Sequence, residues 1–389
     1  MEKVRYAVIG IGNMGTQHVR QLAENMIDNA VLAAACDTNP KRLDWVKENF
    51  GEGIALFDDY KKLLASGLID AVIIATPHYL HPVIAIDAFN AGLHVLSEKP
   101  IGVYTKKVIE MMEVAKNSGK AFGIMYNQRT NPIFQKAREF VQGGELGELK
   151  RCVWIITDWY RTQQYYNSGS WRATWEGEGG GVLLNQCPHN LDLWQWIFGM
   201  PTKIRAFMSF GKYHDIEVED DVTAYAEYAN GATGVFITTT GETPGTNRLE
   251  ISGSRGKLIC ENGKLVFHRT QKDEREYCYG SKEGFAKPMT DVFEVNFDER
   301  KKQEHLLIIE NFTNHILKGT PLLAPGYEGI NGLSISNAMH LSAWTDKTIE
   351  LPGNADEFYD LLQERIKMSN VKKAEATGEV ANLSNTYNN

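Results

Sequence analysis

The residues best suited to chemistry stand in two short stretches within the first hundred positions. The first is Gly10-Ile11-Gly12-Asn13-Met14-Gly15, which fits G-x-G-x-x-G between an apolar run and a helical pattern. Glycines allow a tight turn and a close approach of the backbone to a pyrophosphate, and a helix N-terminus attracts that anion. This stretch therefore predicts a dinucleotide site.

An acidic residue follows at the place where the ribose of a dinucleotide is bound. Asp37 ends the second apolar run, and we expect it and its neighbour Thr38 to contact the adenosine ribose. A carboxylate there repels a 2′-phosphate, which favours NAD over NADP, although Arg42 leaves NADP open. The alternative is that Asp37 only caps the next helix.

The second stretch is Glu98-Lys99-Pro100, just past an apolar run that is predicted to be a strand. Ligands of open α/β sheets bind at the carboxyl ends of the strands. A lysine at such an end can bind a hydroxyl or move its proton if burial lowers its pKa. A lysine without that context is more often a solvated surface charge.

The elements that position these residues alternate over residues 1–126. Apolar runs at 4–9, 31–36, 71–75, 93–97 and 121–126 are separated by helical patterns. The run at 71–75 is nearly all β-branched, which is typical of a strand buried on both faces. We predict an α/β domain with a doubly wound parallel Rossmann sheet.

The pattern changes after residue 126. Seven strand-like stretches between residues 150 and 268, with hairpin turns at 230–231 and 261–263, predict one large antiparallel sheet. Helical patterns at 134–142, 184–196, 304–317 and 327–347 complete a predicted α+β substrate-binding domain over residues 127–350. Residues 351–389 are predicted to form a C-terminal helix and a loose tail.

Composition excludes several classes of protein. Lysine and arginine are scattered in a chain of net charge −8, so no basic surface for nucleic acid is predicted. Five widely spaced cysteines without C-x-x-C favour neither a disulfide framework nor structural zinc. No leader-like start and no apolar run near the roughly 18 residues of a membrane span are present. We therefore expect a cytoplasmic protein that binds no membrane.

The motifs together resemble the glucose–fructose oxidoreductase / inositol dehydrogenase / rhizopine-catabolism (Gfo/Idh/MocA) family, over about residues 3–350. The stretches that carry the resemblance are the glycine loop, Ala75-Thr76-Pro77-His78-Tyr79-Leu80-His81, Glu98-Lys99-Pro100 and Gly179-Gly180-Gly181-Val182-Leu183-Leu184-Asn185-Gln186-Cys187-Pro188-His189-Asn190-Leu191-Asp192. Glu-Lys-Pro combined with the triple glycine and His-x-x-Asp is far more specific than either alone.

The resemblance implies roles for individual residues. Lys99 falls on the catalytic lysine of the family, and His189 on a histidine that helps to move the proton of the oxidised hydroxyl. Asn185 stands where many inositol-dehydrogenase-like members have Asp. An amide can bind a hydroxyl or orient His189, but it cannot act as a base. We therefore assign the proton to Lys99 and His189 and substrate binding to Asn185.

Further predicted contacts surround these residues. The predicted cofactor contacts outside the glycine loop and residues 37–38 are Ala75, Thr76, Pro77, His81, Glu98, Lys99 and Arg172. The further predicted substrate contacts are Tyr126, Asn127, Arg129, Asp158 and Arg172, for each of which packing or a surface pair is the alternative. The spacing of His78 and His81 suggests a metal, but no third ligand is evident, so no metal is predicted.

These residues predict an NAD(P)-dependent dehydrogenase that oxidises a secondary hydroxyl of a sugar, a glycoside or an inositol-like polyol. One alternative is an NAD-assisted glycosidase that oxidises C3 of a glycoside with no net redox change. The other is a dinucleotide-binding regulator without chemistry. Sheets of the second domain pack between subunits in the family, which implies a homodimer or homotetramer.

Overall fold

The computed structural model describes residues 2–169, 171–298 and 303–369. A six-stranded parallel sheet forms the first layer, with the strands Val4–Ile9 (β1), Ala30–Cys36 (β2), Ala55–Phe57 (β3), Ala71–Ile74 (β4), His94–Ser97 (β5) and Phe122–Ile124 (β6). The strand order is β3-β2-β1-β4-β5-β6. The order reverses between β1 and β4, where a crevice at the carboxyl ends is the usual place for a ligand. The predicted Rossmann sheet is confirmed.

Helices cover both faces of this sheet: Asn13–Ala23 (α1), Pro40–Phe50 (α2), Tyr60–Leu64 (α3), Leu80–Asn90 (α4) and Thr105–Ser118 (α5). Local capping explains where several begin. Asn39 accepts a hydrogen bond from the backbone N–H of Lys41, and a proline follows at the first position of α2. The sequence did not reveal β3 and α3, because three and five residues are too few for a periodic signal.

The second sheet has nine strands among the described residues. They are Leu149–Ile156 (β7), Lys203–Phe210 (β8), Glu219–Glu227 (β9), Thr233–Thr239 (β10), Asn247–Gly253 (β11), Gly256–Glu261 (β12), Lys264–Thr270 (β13), Thr290–Glu294 (β14) and Ile349–Glu350 (β15). Their order is β14-β13-β12-β11-β7-β10-β9-β8-β15. The predicted large sheet with flanking helices is confirmed.

The structure differs from that prediction in two details. The sheet is mostly antiparallel, but β10 pairs with β7 in parallel. A parallel pair needs a long connection, and residues 157–232 supply one. The strands β14 and β15 were not predicted, since every residue of β14 is exposed and β15 has only two residues.

The helices of the second half are Pro132–Gln142 (α6), Gln163–Asn167 (α7), Pro188–Phe198 (α8), Glu274–Gly280 (α9), Glu304–Lys318 (α10), Gly329–Thr345 (α11) and Ala355–Lys367 (α12), with 3-10 turns at Asn127–Thr130 and Gly326–Glu328. The helices α8 and α11 pack against each other, and α11 also lies along β8. The helical pattern predicted from residue 184 begins four residues later, at Pro188, because residues 184–187 form turns closed by backbone bonds to Gly181 and Val182.

The helix α10 packs on the first sheet, although its sequence lies beyond the predicted boundary at residue 126. The Tyr6 hydroxyl in β1 is 2.8 Å from the Thr313 hydroxyl. A Cβ at Gly123 in β6 would lie 2.9 Å from the Phe312 ring, so the helix presses directly on the strand. The core of the Rossmann domain is therefore completed by a distant segment.

The helix α12 is the predicted C-terminal helix and packs against α5. Lys106 forms an ion pair with Asp356 at 2.7 Å, and the Phe358 ring stacks on Trp344 with a centroid separation of 5.2 Å. The predicted loose tail, residues 370–389, lies outside the described residues. No helix within the described ranges is both long and apolar enough to cross a bilayer.

Candidate active site

The glycine loop lies between β1 and α1 and is tightly packed on its inner side. Gly10 has φ +89°, and a Cβ there would lie 2.7 Å from the carbonyl oxygen of Ala75. A Cβ at Gly15 would lie 1.8 Å from the carbonyl oxygen of Gly10. By contrast, a Cβ at Gly12 would meet nothing within 4 Å. The loop is thus pressed against β4 on one side and open at Gly12 beside the N-terminus of α1.

Asp37 is tied to this loop. Its Oδ2 accepts the backbone N–H of Ile11 at 2.6 Å, and its Oδ1 accepts that of Asn39 at 2.8 Å. The carboxylate therefore joins the glycine loop to the turn before α2, and it does more than cap that turn. Thr38 is exposed next to it.

The segment after β4 carries a buried polar group without a partner. The Thr76 hydroxyl is buried and has no hydrogen-bond partner. Buried hydroxyls are normally satisfied, so an unpaired one beside an open loop suits a polar group of a ligand. Ala75, Thr76 and Pro77 lie at the same sheet edge as the glycine loop, since the N–H of Ala75 donates to the carbonyl of Ile9.

Lys99 follows β5 at this edge and reaches into the second domain. Its half-buried Nζ donates to the backbone carbonyl of Asn185 at 3.0 Å. Burial lowers the pKa of Lys99, and the positive charges of Arg172 and Arg161 lower it further, while Glu98 and Glu178 oppose that shift. A lysine held in this way can exist as a neutral amine that accepts a proton.

The Glu98 side chain binds the backbone of Lys99. Its Oε1 lies 2.7 Å from Nε2 of His18, and its Oε2 accepts the N–H of Lys99 at 3.1 Å. Burial acts to raise the pKa of Glu98, but the bond to His18 and the charges of His18, His305 and Lys99 together outweigh it and bring the pKa to about 2. Glu98 is therefore a fixed anion inside the protein. His18, which we did not single out from the sequence, is its buried partner.

His189 stands in the first turn of α8, four residues after Asn185. Its side chain is buried, its Nδ1 has no hydrogen-bond partner, and its ring meets the edge of Tyr126 at 6.1 Å between centroids. Burial and the charge of Lys99 hold the pKa of His189 well below its usual range. The imidazole is thus neutral near pH 7, and it lies close enough to Lys99 to interact electrostatically with it.

The side chain of Asn185 binds Glu178 and not His189, and its predicted contact with a substrate stays a prediction. Its side-chain amide donates to Oε1 of Glu178. Glu178 is a buried carboxylate that the sequence analysis missed, and its Oε2 accepts the N–H of Ala173 at 2.6 Å. Arg172 lies 3.9 Å from the same carboxylate. The Glu178 carboxylate therefore lies near Lys99, although the sequence did not indicate a carboxylate from this segment.

Arg172 lies in this neighbourhood. Its Nη1 donates to the Tyr165 hydroxyl at 2.8 Å, and its guanidinium lies over the rings of Tyr165 and Trp171 at 4.6 and 4.8 Å. These contacts hold a half-buried cation next to Glu178. Its contact with a substrate or cofactor stays a prediction.

The residues that follow β6 point into the protein rather than into the crevice. Arg129 has no exposed side-chain surface and donates two bonds to Asp192, at 2.6 and 2.7 Å, and one to Glu328. Asn127 is buried and donates to Glu304 at 3.1 Å. We therefore reassign Arg129 and Asn127 from substrate binding to holding elements together.

Two other predicted contacts are also engaged elsewhere. Both ring nitrogens of His81 lie 2.7 Å from backbone carbonyls, those of Pro100 and Thr76, so His81 joins the two loops instead of reaching a ligand. Asp158 accepts a bond from the Asn247 amide at 3.2 Å.

A metal is not suggested by the placement of the paired histidines. Nδ1 of His78 is 3.2 Å from the backbone carbonyl of Glu178. Across residues 2–169, 171–298 and 303–369, no group of three histidine, cysteine, aspartate or glutamate side chains is arranged to hold a metal ion.

The open side of the glycine loop gives a direct test of dinucleotide binding. We expect Gly12→Ala to fold normally, because its φ of −76° and its open surroundings accept a methyl group. The methyl would overpack a pyrophosphate at this place and weaken NAD binding by about 10- to 100-fold, the equivalent of roughly 1–3 kcal/mol. Calorimetric titration with NAD measures this. Gly53→Ala is the control, since Gly53 is exposed and equally open. Equal NAD affinity of Gly12→Ala and the wild type would place the pyrophosphate elsewhere.

Comparisons with known proteins match both halves of the chain. Residues 4–126 match the family model described as an oxidoreductase family with an NAD-binding Rossmann fold, and residues 134–259 match the GFO/IDH/MocA C-terminal domain. The first domain is therefore an NAD-binding Rossmann domain. Both matches favour an enzyme over a regulator without chemistry.

Individual relatives extend the comparison over most of the chain. Myo-inositol 2-dehydrogenase of Thermotoga maritima is 25% identical over 360 residues, which are 90% of this chain and 98% of that protein. The 2,7-anhydro-N-acetylneuraminate hydratase of Escherichia coli is 31% identical over 202 residues, half of each chain. The WlbA dehydrogenase of Bordetella pertussis, solved with NADH and UDP-GlcNAcA, is 26% identical with a TM-score of 0.76, and the match covers 90% of this chain and 100% of that one. The chain belongs to the Gfo/Idh/MocA family of NAD-dependent oxidoreductases.

Proposed function

We propose that the chain oxidises a secondary hydroxyl of a sugar, a glycoside or an inositol-like polyol, with Lys99 and His189 handling the proton. The observation that carries the proposal is the bond of 3.0 Å from Lys99 Nζ to the carbonyl of Asn185. It joins the end of β5 to the segment that leads into His189. Lys99 lies at the sheet edge that also carries the glycine loop and Thr76, and its charge acts on His189, which supports a shared role in proton transfer.

Each residue has a part that follows from its surroundings. NAD, when bound, supplies the hydride acceptor. The hydroxyl proton of the substrate passes to the neutral amine of Lys99 or to the neutral imidazole of His189, and the carbinol carbon becomes a carbonyl. Glu98 holds Lys99 in place, while Asp37 is suited to the adenosine ribose and disfavours a 2′-phosphate. NAD is therefore the proposed cofactor in preference to NADP.

A panel of substrates tests this proposal. Polyols, aldoses, glycosides and keto-sugars are each assayed with NAD, NADP and their reduced forms at 340 nm. We expect NADH to form with at least one polyol or sugar, and NAD to be preferred over NADP. Binding of NAD without turnover of any member of the panel would contradict the proposal.

A second candidate reaction is favoured by the relative named a hydratase, because hydration involves no net oxidation. In this alternative the chain oxidises a glycoside at C3, which acidifies the neighbouring C–H, and then reduces the product after the glycosidic bond is cleaved. Release of a free sugar without accumulation of NADH would identify it. Chromatography of the products in the same panel makes this distinction.

We also infer assembly through the second sheet. Phe207 in β8 is 62% exposed, and Tyr225 in the adjacent β9 is also exposed. An apolar sheet surface of this kind is typical of an interface. The expected product is a homodimer or homotetramer, which light scattering measures.

A further inference from the structure

The carboxylate that Asn185 lacks is supplied by another part of the chain. Four residues before His189, the family often has an aspartate, whereas this chain has an amide that can neither hold a negative charge nor take up a proton. In the structure, the amide of Asn185 donates to the carboxylate of Glu178. Glu178 stands between α7 and α8, flanked by two glycines.

Glu178 is held in one place by both its side chain and its backbone. Its side chain is 2% exposed, and Oε2 accepts the N–H of Ala173 at 2.6 Å. Its own carbonyl lies 3.2 Å from Nδ1 of His78. The next residue, Gly179, has φ +84°, and a Cβ there would lie 2.3 Å from the Val103 side chain. A carboxylate so fixed is a built feature of the site and not a surface charge.

Asn185 connects Glu178 to Lys99 through two different groups. Its side-chain amide binds the Glu178 carboxylate, and its backbone carbonyl accepts the bond from Lys99 Nζ. Burial raises the pKa of Glu178, while the charge of Arg172 and the bonds from Ala173 and Asn185 favour its charged form. In that form Glu178 raises the pKa of Lys99 and so opposes the lowering caused by burial. The charged or titratable groups that act electrostatically on Lys99, or respond to its charge, are Glu98, Glu178, Arg172, Arg161, His78, His81, His189, His305 and Cys187.

We propose that Glu178 is a positioning residue that replaces the missing aspartate: through Asn185 it fixes the Lys99 ammonium and supplies the negative charge which that ammonium faces. This inference rests on the proposed function for its role in turnover. Glu178 does not exchange protons with the substrate. It sets the pH at which Lys99 becomes the neutral amine that accepts one.

The test replaces the charge and keeps the shape. In Glu178→Gln, we expect the pKa of Lys99 to fall by about one pH unit, because an opposing charge nearby is lost. The acidic limb of kcat/KM for oxidation then moves to lower pH by the same amount. Competitive acetylation of Lys99, followed by mass spectrometry across pH, measures the pKa without any substrate. The matched control is Glu176→Gln, which removes an exposed carboxylate two residues earlier and should move neither readout.

A swap of the two side chains separates charge from packing. In Glu178→Gln with Asn185→Asp, the carboxylate returns at the position usual in the family, and we expect the Lys99 pKa to recover. If Glu178→Gln changed the Lys99 pKa only through altered packing, adding Asn185→Asp would not restore that pKa. If Glu178→Gln does not fold, Glu178→Asp carries the test, because the shorter side chain draws the carboxylate away from Asn185, and we expect the Lys99 pKa to fall by less than in Glu178→Gln.

The outcomes distinguish this inference from the proposed function. An unchanged Lys99 pKa in folded Glu178→Gln, or in Glu178→Asp if the first variant does not fold, overturns the inference, even if polyols are oxidised. An enzyme that turns over no polyol or sugar contradicts the proposed function, while the acetylation result still decides the role of Glu178.

Discussion

Replacing Lys99 with alanine is expected to lower kcat by about 10²- to 10⁴-fold, the usual contribution of a positioned proton-transfer group. The amine that accepts the hydroxyl proton is lost, whereas the glycine loop and Asp37 remain. The dissociation constant of NAD should therefore change by less than about tenfold, or about 1.4 kcal/mol. Steady-state kinetics on the best substrate of the panel, together with calorimetric titration of NAD, measure both effects.

Two further variants distinguish the loss of a base at position 99 from the loss of a positive charge. Lys99→Arg keeps a positive charge but cannot act as a base, because a guanidinium does not give up its proton at ordinary pH. It should be as inactive as Lys99→Ala. Lys107→Ala removes a half-buried lysine of α5 that pairs with Glu110, and it should retain full activity. Wild-type turnover by Lys99→Ala would exclude Lys99 from the mechanism.

Removing Arg129 should strongly lower the free energy of unfolding. The substitution Arg129→Met leaves Asp192, which is almost fully buried, without its main partner. An uncompensated buried charge costs about 3–5 kcal/mol. We expect a loss of that size in the free energy of unfolding at pH 7, measured with urea. In Glu328→Gln, which alters the more exposed partner, the loss should stay below about 1 kcal/mol.

The pH dependence of this loss has a definite sign. Burial raises the pKa of Asp192, and Arg129 opposes that rise, so the pKa rises further when Arg129 is absent. An acid whose pKa is higher in the folded state destabilises the protein increasingly as the pH rises above its unfolded pKa. The difference between Arg129→Met and the wild type should therefore be smaller at pH 5 than at pH 8. A difference that does not vary with pH would mean that Asp192 is not the group left unpaired.

The sequence predicted the first domain and its ligand edge because their signals are local. A glycine loop, an acidic residue at a strand end and a lysine after a strand can each be recognised within a few residues. The pairing of β7 with β10 could not be predicted, since it depends on a long connection. Arg129 and Asn127 were misassigned because the 3-10 turn after β6 points them inward, and no periodic pattern indicates that direction.

Glu178 escaped the sequence analysis for a related reason. A glutamate between Gly177 and Gly179 has the pattern of an exposed turn, and the segment has no helical or alternating periodicity. Its burial comes from residues far away in sequence, since Val103 and the Tyr79 hydroxyl press on Gly179. The departure from the family pattern at Asn185 was visible, and it could have prompted a search for a compensating acid.

The packing of α10 on the first sheet affects how the chain is made and how it can be engineered. A protein emerging from a ribosome generally folds its leading domain first. Here the helix α10, which packs on β1 and β6, is complete only when synthesis has passed Lys318. Until then the surface of β6 that Phe312 covers is exposed to water. A chimera that borrows only residues 4–126 would inherit the same bare surface, so a transplantable nucleotide-binding module from this chain must include residues 304–318.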